Sequence, residues 1–133
     1  MKGFGSHKES KNKKIKKFKE DNLKEQILYK AFKLHSEGNI AEASKYYKSF
    51  IKQGIKDYRV FSNYGFILIG LRKLKEAEIL YRKAIELKPD FAEAYLNLGN
   101  ILKDLGKSKE AEVSLHKAIE LKPDFVEAYL NLG

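Results

Sequence analysis

A stretch of 34 residues occurs twice in succession in this sequence, and the repetition constrains the fold more than any other feature. Residues 58–91 and 92–125 are identical at 19 of 34 positions and share the closing run KAIELKPDF. After Phe125 the chain resumes as VEAYLNLG, which matches the start of the previous copy at seven of eight positions. A fixed period of this length is typical of helical repeat arrays, in which each copy packs only on its neighbours.

The constant positions of these copies resemble those of the tetratricopeptide repeat. In the copy that begins at Ala92, the large and small residues that carry the resemblance are Tyr95, Leu98, Gly99, Ala111, Ala118 and Pro123. The resemblance implies an all-α fold, a right-handed α/α superhelix (solenoid) of helix-turn-helix repeats. The same frame predicts a degenerate repeat at 24–57, repeats at 58–91 and 92–125, and the truncated start of a fourth at 126–133. We therefore expect the sequence to be a fragment of a longer array.

Turn residues predict where the helices begin and end. Pro89 disfavours helical geometry in the residue before it, so the preceding helix should end at Leu87. Asp90 is then expected to cap the next helix, with Glu93 completing a capping box, and the same arrangement recurs 34 residues later. A similar cap is expected at Asp21-Asn22. The predicted helices span residues 23–36, 40–53, 58–71, 75–87, 92–105 and 109–121.

Small residues recur where the two helices of a repeat should cross. Gly65 and Gly99 occupy one such position, and Ala77 and Ala111 occupy the other. A larger side chain at either position would push the helix axes apart. We therefore expect these residues to serve packing alone.

The positive charge is concentrated at the N-terminus. The formal net charge is +9, and residues 1–19 contribute +7 of it. Residues 1–22 are predicted to form a basic, partly disordered tail, unstructured to about Lys11 because it offers little apolar surface to bury. Such a tail could bind nucleic acid or an anionic membrane, although a solvated tail is the simpler interpretation.

The sequence contains no recognisable constellation for catalysis or metal binding. Cysteine is absent, which excludes disulfides, zinc–thiolate sites and cysteine catalysis. The three histidines, His7, His35 and His116, have no metal-ligand spacing. Recurrence of the glutamates with the repeat indicates surface positions rather than an acid/base pair. We therefore predict no catalytic residues, no metal and no cofactor. With no secretory signal and no long apolar run, we expect a cytoplasmic location.

Asparagine recurs at the sixth position of three successive repeats, as Asn63, Asn97 and Asn131. The resemblance implies that this position faces the concave groove of the array, and an amide can pair with a peptide backbone of any sequence. Similar asparagine ladders occur in O-linked N-acetylglucosamine transferase arrays. Alternatively, asparagine is a tolerated polar residue beside the helix packing. The remaining candidate groove residues are Arg59, Phe66, Glu93, Leu96 and Asn100.

These residues predict a non-catalytic protein–protein interaction scaffold that binds an extended peptide. The alternative is the N-terminal substrate-binding array of a larger glycosyltransferase, sulfotransferase or methyltransferase. The family's clamp for C-terminal carboxylates uses lysine at the fifth position, where this chain has Leu28, Ser62 and Leu96. The resemblance therefore does not support that specialised function. The identity of the protein partner and the oligomeric state are not encoded in a recognisable way.

Overall fold

The computed structural model describes residues 3–133, and over this range the chain is entirely helical, with turns between the helices. It divides into two compact units, Met1–Ala43 and Ser44–Gly133. In chain order the helices are α1 (Gly3–Ser36), α2 (Ile40–Lys52), α3 (Tyr58–Gly70), α4 (Leu74–Leu87), α5 (Ala92–Asp104), α6 (Ser108–Leu121) and α7 (Val126–Leu132).

The second unit is a helical repeat solenoid. Helix α3 packs against α4, α4 against α5, α5 against α6 and α6 against α7. The bounds of α2 to α6 lie within one residue of those that the turn residues predict. The agreement follows from the proline and glycine signals. Proline disfavours helical geometry in the residue before it, and glycine readily adopts the left-handed conformation that ends a helix.

The N-terminal segment differs from the expectation. Helix α1 is continuous from Gly3, so Asp21 and Asn22 lie inside it rather than capping a later helix. All described side chains from residue 5 to residue 27 are exposed, and Leu28 is the first buried one. Lysine and glutamate favour helices intrinsically, and no proline interrupts them, which accounts for a helix without burial. The expectation for residues 1 and 2 lies outside the described residues.

The caps of α5 and α7 also differ from the expectation. Phe91 is the N-cap residue of α5, and no side chain caps that helix. Asp90 precedes the cap by one residue and instead pairs with the Lys88 ammonium at 3.5 Å. The Lys88 carbonyl accepts a hydrogen bond from the Phe91 N–H, and this turn places Phe91 at the helix start. The equivalent turn places Phe125 before α7, again without a side-chain cap.

Two glycines allow the paired helices to approach closely, as the sequence predicts. A Cβ atom added at Gly65 would lie 2.9 Å from Tyr81 Cε2, and one at Gly99 would lie 2.7 Å from Leu115 Cγ. Tyr81 and Leu115 are each only 1% exposed. The large side chain of the second helix therefore fills the space left by the glycine of the first.

The replacement Gly65→Ala should lower the stability of the array, and Gly70→Ala in the same helix is its matched control. Overpacking against the Tyr81 ring costs about 1–3 kcal/mol. Gly70 has nothing within 4 Å of an added Cβ, so alanine there should stabilise the protein by about 0.4–1 kcal/mol. Urea unfolding of both variants measures the difference. An equal gain in stability at both sites would contradict the close packing at Gly65.

Arg72 is the one described non-glycine residue with a positive φ, at 60°. The equivalent residue 34 positions later is Gly106, with φ at 79°. An L-residue in this conformation costs about 1–2 kcal/mol. The Arg72 guanidinium pairs with Asp104 at 3.5 Å, but such an exposed pair contributes only about 0–1 kcal/mol.

We therefore expect Arg72→Gly to raise the free energy of unfolding by about 1 kcal/mol. The reverse change, Gly106→Arg, should lower it by a similar amount. Thermal and urea unfolding of the two variants test the pair. A loss of stability in Arg72→Gly would show that the ion pair to Asp104 outweighs the backbone strain.

Candidate functional site

The first helices of the predicted repeats in the second unit lie side by side. Helix α5 contacts both α3 and α7. Asn63, Asn97 and Asn131 occupy the same repeat position on these three helices, and each is half-buried. The three asparagines therefore form a row across neighbouring helices.

Two of the three asparagines hydrogen-bond to a buried tyrosine of the preceding helix. The Asn97 Nδ2 donates to the Tyr81 Oη at 3.3 Å. The Asn63 amide makes the corresponding bond to Tyr47, which is fully buried. The spacing from tyrosine to asparagine is 16 residues in both cases. One amide N–H of Asn97 is thus engaged in the packing of the array, and Asn63 is paired with Tyr47 at the same repeat position.

The surroundings of both phenol groups raise their pKa. Burial raises the pKa of Tyr47 to about 12, against the opposing effect of the hydrogen bond from Asn63. Burial likewise raises the pKa of Tyr81, opposed by the hydrogen bond from Asn97. Both hydroxyls stay protonated at neutral pH, so each asparagine is paired with a neutral phenol.

The third asparagine has a different neighbour. Leu115 stands where the tyrosine occurs in the two earlier repeats, so Asn131 has no hydroxyl to bind at that position. Its backbone carbonyl instead accepts a hydrogen bond from the Lys103 Nζ at 2.9 Å. The row therefore consists of two asparagines bonded to tyrosine and one without that bond.

The structure places the other predicted groove residues in unlike environments. Phe66 is 58% exposed, and Asn100 is half-buried one turn of helix beyond Asn97. Glu93 is exposed, and its carboxylate lies 3.8 Å from the Lys122 ammonium. The prediction that Leu96 lines the groove is wrong, because its side chain is only 5% exposed and packs in a core cluster with Leu115. It points between helices and is not part of an accessible groove.

Arg59 is held by the cap of its own helix. Asp57 is the N-cap of α3, and its Oδ1 accepts the Arg59 backbone N–H at 2.9 Å. The guanidinium donates to both carboxylate oxygens, from Nε at 3.0 Å and from Nη2 at 2.8 Å. Burial alone would raise the pKa of Asp57, but the hydrogen bonds and charge of Arg59 outweigh it and hold the pKa below its ordinary value.

Sequence reasoning missed the part played by the tyrosines. The signal available was the constant spacing between Tyr47 and Asn63 and between Tyr81 and Asn97, together with its loss at Leu115. A hydroxyl buried beside an amide at fixed spacing needs a partner, because a lone buried hydroxyl is costly.

A concavity lies between α4 and α6. It is an open groove of about 1040 Å³, lined by apolar residues such as Ile79, Ile85 and Val113 and by Tyr95 and Leu98 of α5. The row asparagines are not among its lining residues. Over residues 3–133, no group of three potential metal ligands occurs, and no helix is long and apolar enough to cross a bilayer.

Comparisons with known proteins agree on the repeat. A family model described as "Tetratricopeptide repeat" matches residues 92–125, and one described as "TPR repeat" matches residues 73–106. No curated protein matches the sequence significantly.

Solved structures share the fold at low sequence identity. The first TPR of Spaghetti (RPAP3), bound to the HSP90 peptide SRMEEVD, is 24% identical, with a TM-score of 0.72, over 80% of this chain and 84% of that chain. The Yersinia enterocolitica type III secretion chaperone SycD, in complex with a peptide of the translocator YopD, is 24% identical, with a TM-score of 0.71, over 84% and 90%.

The third structure is a mutant O-GlcNAc transferase from Thermobaculum terrenum. It is 25% identical to this chain, with a TM-score of 0.71. The match covers 81% of this chain but only 21% of the transferase.

Acidification should remove the contribution that the Asp57–Arg59 pair makes to the stability of the fold. A carboxyl whose pKa is lowered by folding contributes stability above its unfolded pKa, near 4, and loses that contribution as the pH falls through the folded value. Asp57→Asn keeps a good N-cap but removes the charge. The urea midpoint of this variant should therefore fall less between pH 7 and pH 3 than that of the parent chain.

The matched control is Asp90→Asn, because Asp90 is an exposed carboxylate outside the cap. It should leave the acid-induced fall close to that of the parent. An identical fall in the parent and in Asp57→Asn would show that the pair with Arg59 does not govern acid stability.

Proposed function

Because this chain belongs to the tetratricopeptide repeat family, we propose that it is a non-catalytic scaffold that binds an extended peptide along α3, α5 and α7. The observation that carries the proposal is the row of half-buried amides on three neighbouring helices. An extended peptide presents N–H and C=O groups at regular intervals, and an asparagine amide can donate to one and accept from the other. Binding of this kind depends little on the peptide's sequence.

Exposed side chains around the row would supply selectivity. Phe66 offers an apolar ring, and Asn100 adds a further amide one turn of helix from Asn97. Each amide–backbone hydrogen bond contributes only about 0.5–1.5 kcal/mol net, so the row alone gives weak binding. Contacts from side chains such as Phe66 are therefore needed for a stable complex.

The proposed peptide binds through its backbone rather than through a terminal carboxylate. Ser62 and Leu96 stand where a carboxylate clamp would need lysine, and both are buried, at 8% and 5% exposed. The similar fold bound to the peptide SRMEEVD therefore supports a peptide ligand in general, without that peptide's mode of binding.

A second candidate is the substrate-binding array of a larger enzyme. The similarity to part of a Thermobaculum terrenum O-GlcNAc transferase favours it, because that transferase carries the same fold over about a fifth of its length. In this case the extended peptide would be a protein substrate. Both candidates share the same peptide site, so the site can be tested first.

The test uses a probe peptide selected from phage-displayed random 12-residue peptides on the full chain. Asn97→Ala should weaken the selected peptide roughly three- to tenfold, which corresponds to the loss of one hydrogen bond. The matched control is Asn22→Ala, the same change at an exposed position within α1, which should leave affinity unchanged. Titration calorimetry below the unfolding temperature of each variant measures both.

Two outcomes would contradict the proposal. Peptides whose affinity is the same for the parent and for Asn97→Ala bind elsewhere on the chain. Saturable binding of SRMEEVD that is lost when its terminal carboxylate is amidated would indicate a carboxylate site instead.

A further inference from the structure

Tyr47 and Tyr81 pair with Asn63 and Asn97, respectively, in two successive repeats. In each case a buried hydroxyl on the second helix of one repeat binds the amide on the first helix of the next. Tyr81 is only 1% exposed and its ring lies against Gly65, so the position of its hydroxyl is fixed by the core. A fixed acceptor restricts the rotation of the amide that donates to it.

We propose that Tyr47 and Tyr81 are positioning residues that hold the Asn63 and Asn97 amides in the orientation needed to bind a peptide backbone. The inference rests on the proposed function, because it explains how the same row of amides would work. One N–H of the Asn97 amide is occupied by Tyr81, while its second N–H and its carbonyl oxygen retain their hydrogen-bonding capacity. Since these half-buried asparagines are held before binding, the ligand does not have to order them.

The third repeat provides an internal comparison. Leu115 packs against Gly99 as Tyr81 packs against Gly65, but it carries no hydroxyl. Asn131 therefore lacks the orienting bond that Asn63 and Asn97 have. On this basis two asparagines of the row are held in a fixed orientation, and Asn131 should contribute less to binding than Asn63 or Asn97.

The decisive variant is Tyr81→Phe, which removes only the hydroxyl. Asn97 is half-buried, so water can replace the lost acceptor and the fold should be retained. The peptide selected on the full chain should bind roughly three- to tenfold more weakly, as it does to Asn97→Ala. In the double variant with Asn97→Ala, removing the hydroxyl should cause no further loss, because the tyrosine acts through the asparagine.

A second readout follows the amide itself. In ¹⁵N relaxation measurements without peptide, the Asn97 side-chain amide should be more mobile in Tyr81→Phe than in the parent chain. The Asn131 amide should already be mobile in the parent. A residue with a packing role alone would change stability without this specific change in the Asn97 amide.

The reciprocal variant is Leu115→Tyr, which installs the missing hydroxyl opposite Asn131. Gly99 leaves space there as Gly65 does for Tyr81. Peptide affinity should rise by roughly two- to tenfold, with a rigid Asn131 amide. If this variant does not fold, Tyr81→Phe still decides the question.

The outcomes separate the two ideas. If Asn97→Ala leaves peptide affinity unchanged, the proposed function fails, and the positioning inference fails with it. If Asn97→Ala weakens binding but Tyr81→Phe does not, the groove stands and the positioning role is overturned. Equal losses from removing the hydroxyl with and without Asn97 would also overturn it, since the tyrosine would then act by another route.

Discussion

The array depends on the contact between a glycine of one helix and a large side chain of the next. Tyr81 fills the space over Gly65, and Leu115 fills the space over Gly99, with no room for a Cβ atom at either glycine. This contact sets how closely the paired helices approach. Tyr81 belongs to one core cluster of the second unit and Leu115 to another, so each contact is part of the buried packing that holds neighbouring helices together.

The choice of tyrosine or leucine at this contact has a chemical consequence. Leucine fills the space and has no polar group to satisfy, whereas tyrosine brings a hydroxyl into the core that needs a hydrogen-bond partner. The asparagine of the next repeat supplies that partner for Tyr47 and Tyr81. No buried side-chain nitrogen or oxygen of the described residues lacks a partner. Packing therefore accounts for Asn63 and Asn97, and the exposed part of each amide remains for binding.

The sequence predicts the repeats better than it predicts the site. Helix bounds follow from local backbone chemistry, so they can be placed to within a residue. Asp90 was misplaced as a cap because the turn closed by the Lys88 carbonyl and the Phe91 N–H moves the helix start by one residue. The fate of Leu96 could not be predicted either. Its repeat position indicates a groove, but burial is decided by the neighbouring helices α6 and α7. Helix α1 was predicted too short, because intrinsic helix propensity extends it over exposed residues that the packing pattern does not cover.

Sharing one amide between core and ligand links binding to stability. Removing Asn97 deprives the buried Tyr81 hydroxyl of its donor, which costs about 1–3 kcal/mol, so the variant loses stability as well as a ligand contact. Conversely, a ligand that binds only the folded array stabilises it in proportion to its affinity. This coupling does not apply to Asn131, because its neighbour Leu115 has no hydroxyl that needs a hydrogen-bond partner. Replacing Asn131 should therefore cost less stability than replacing Asn97, because no buried hydroxyl loses its partner.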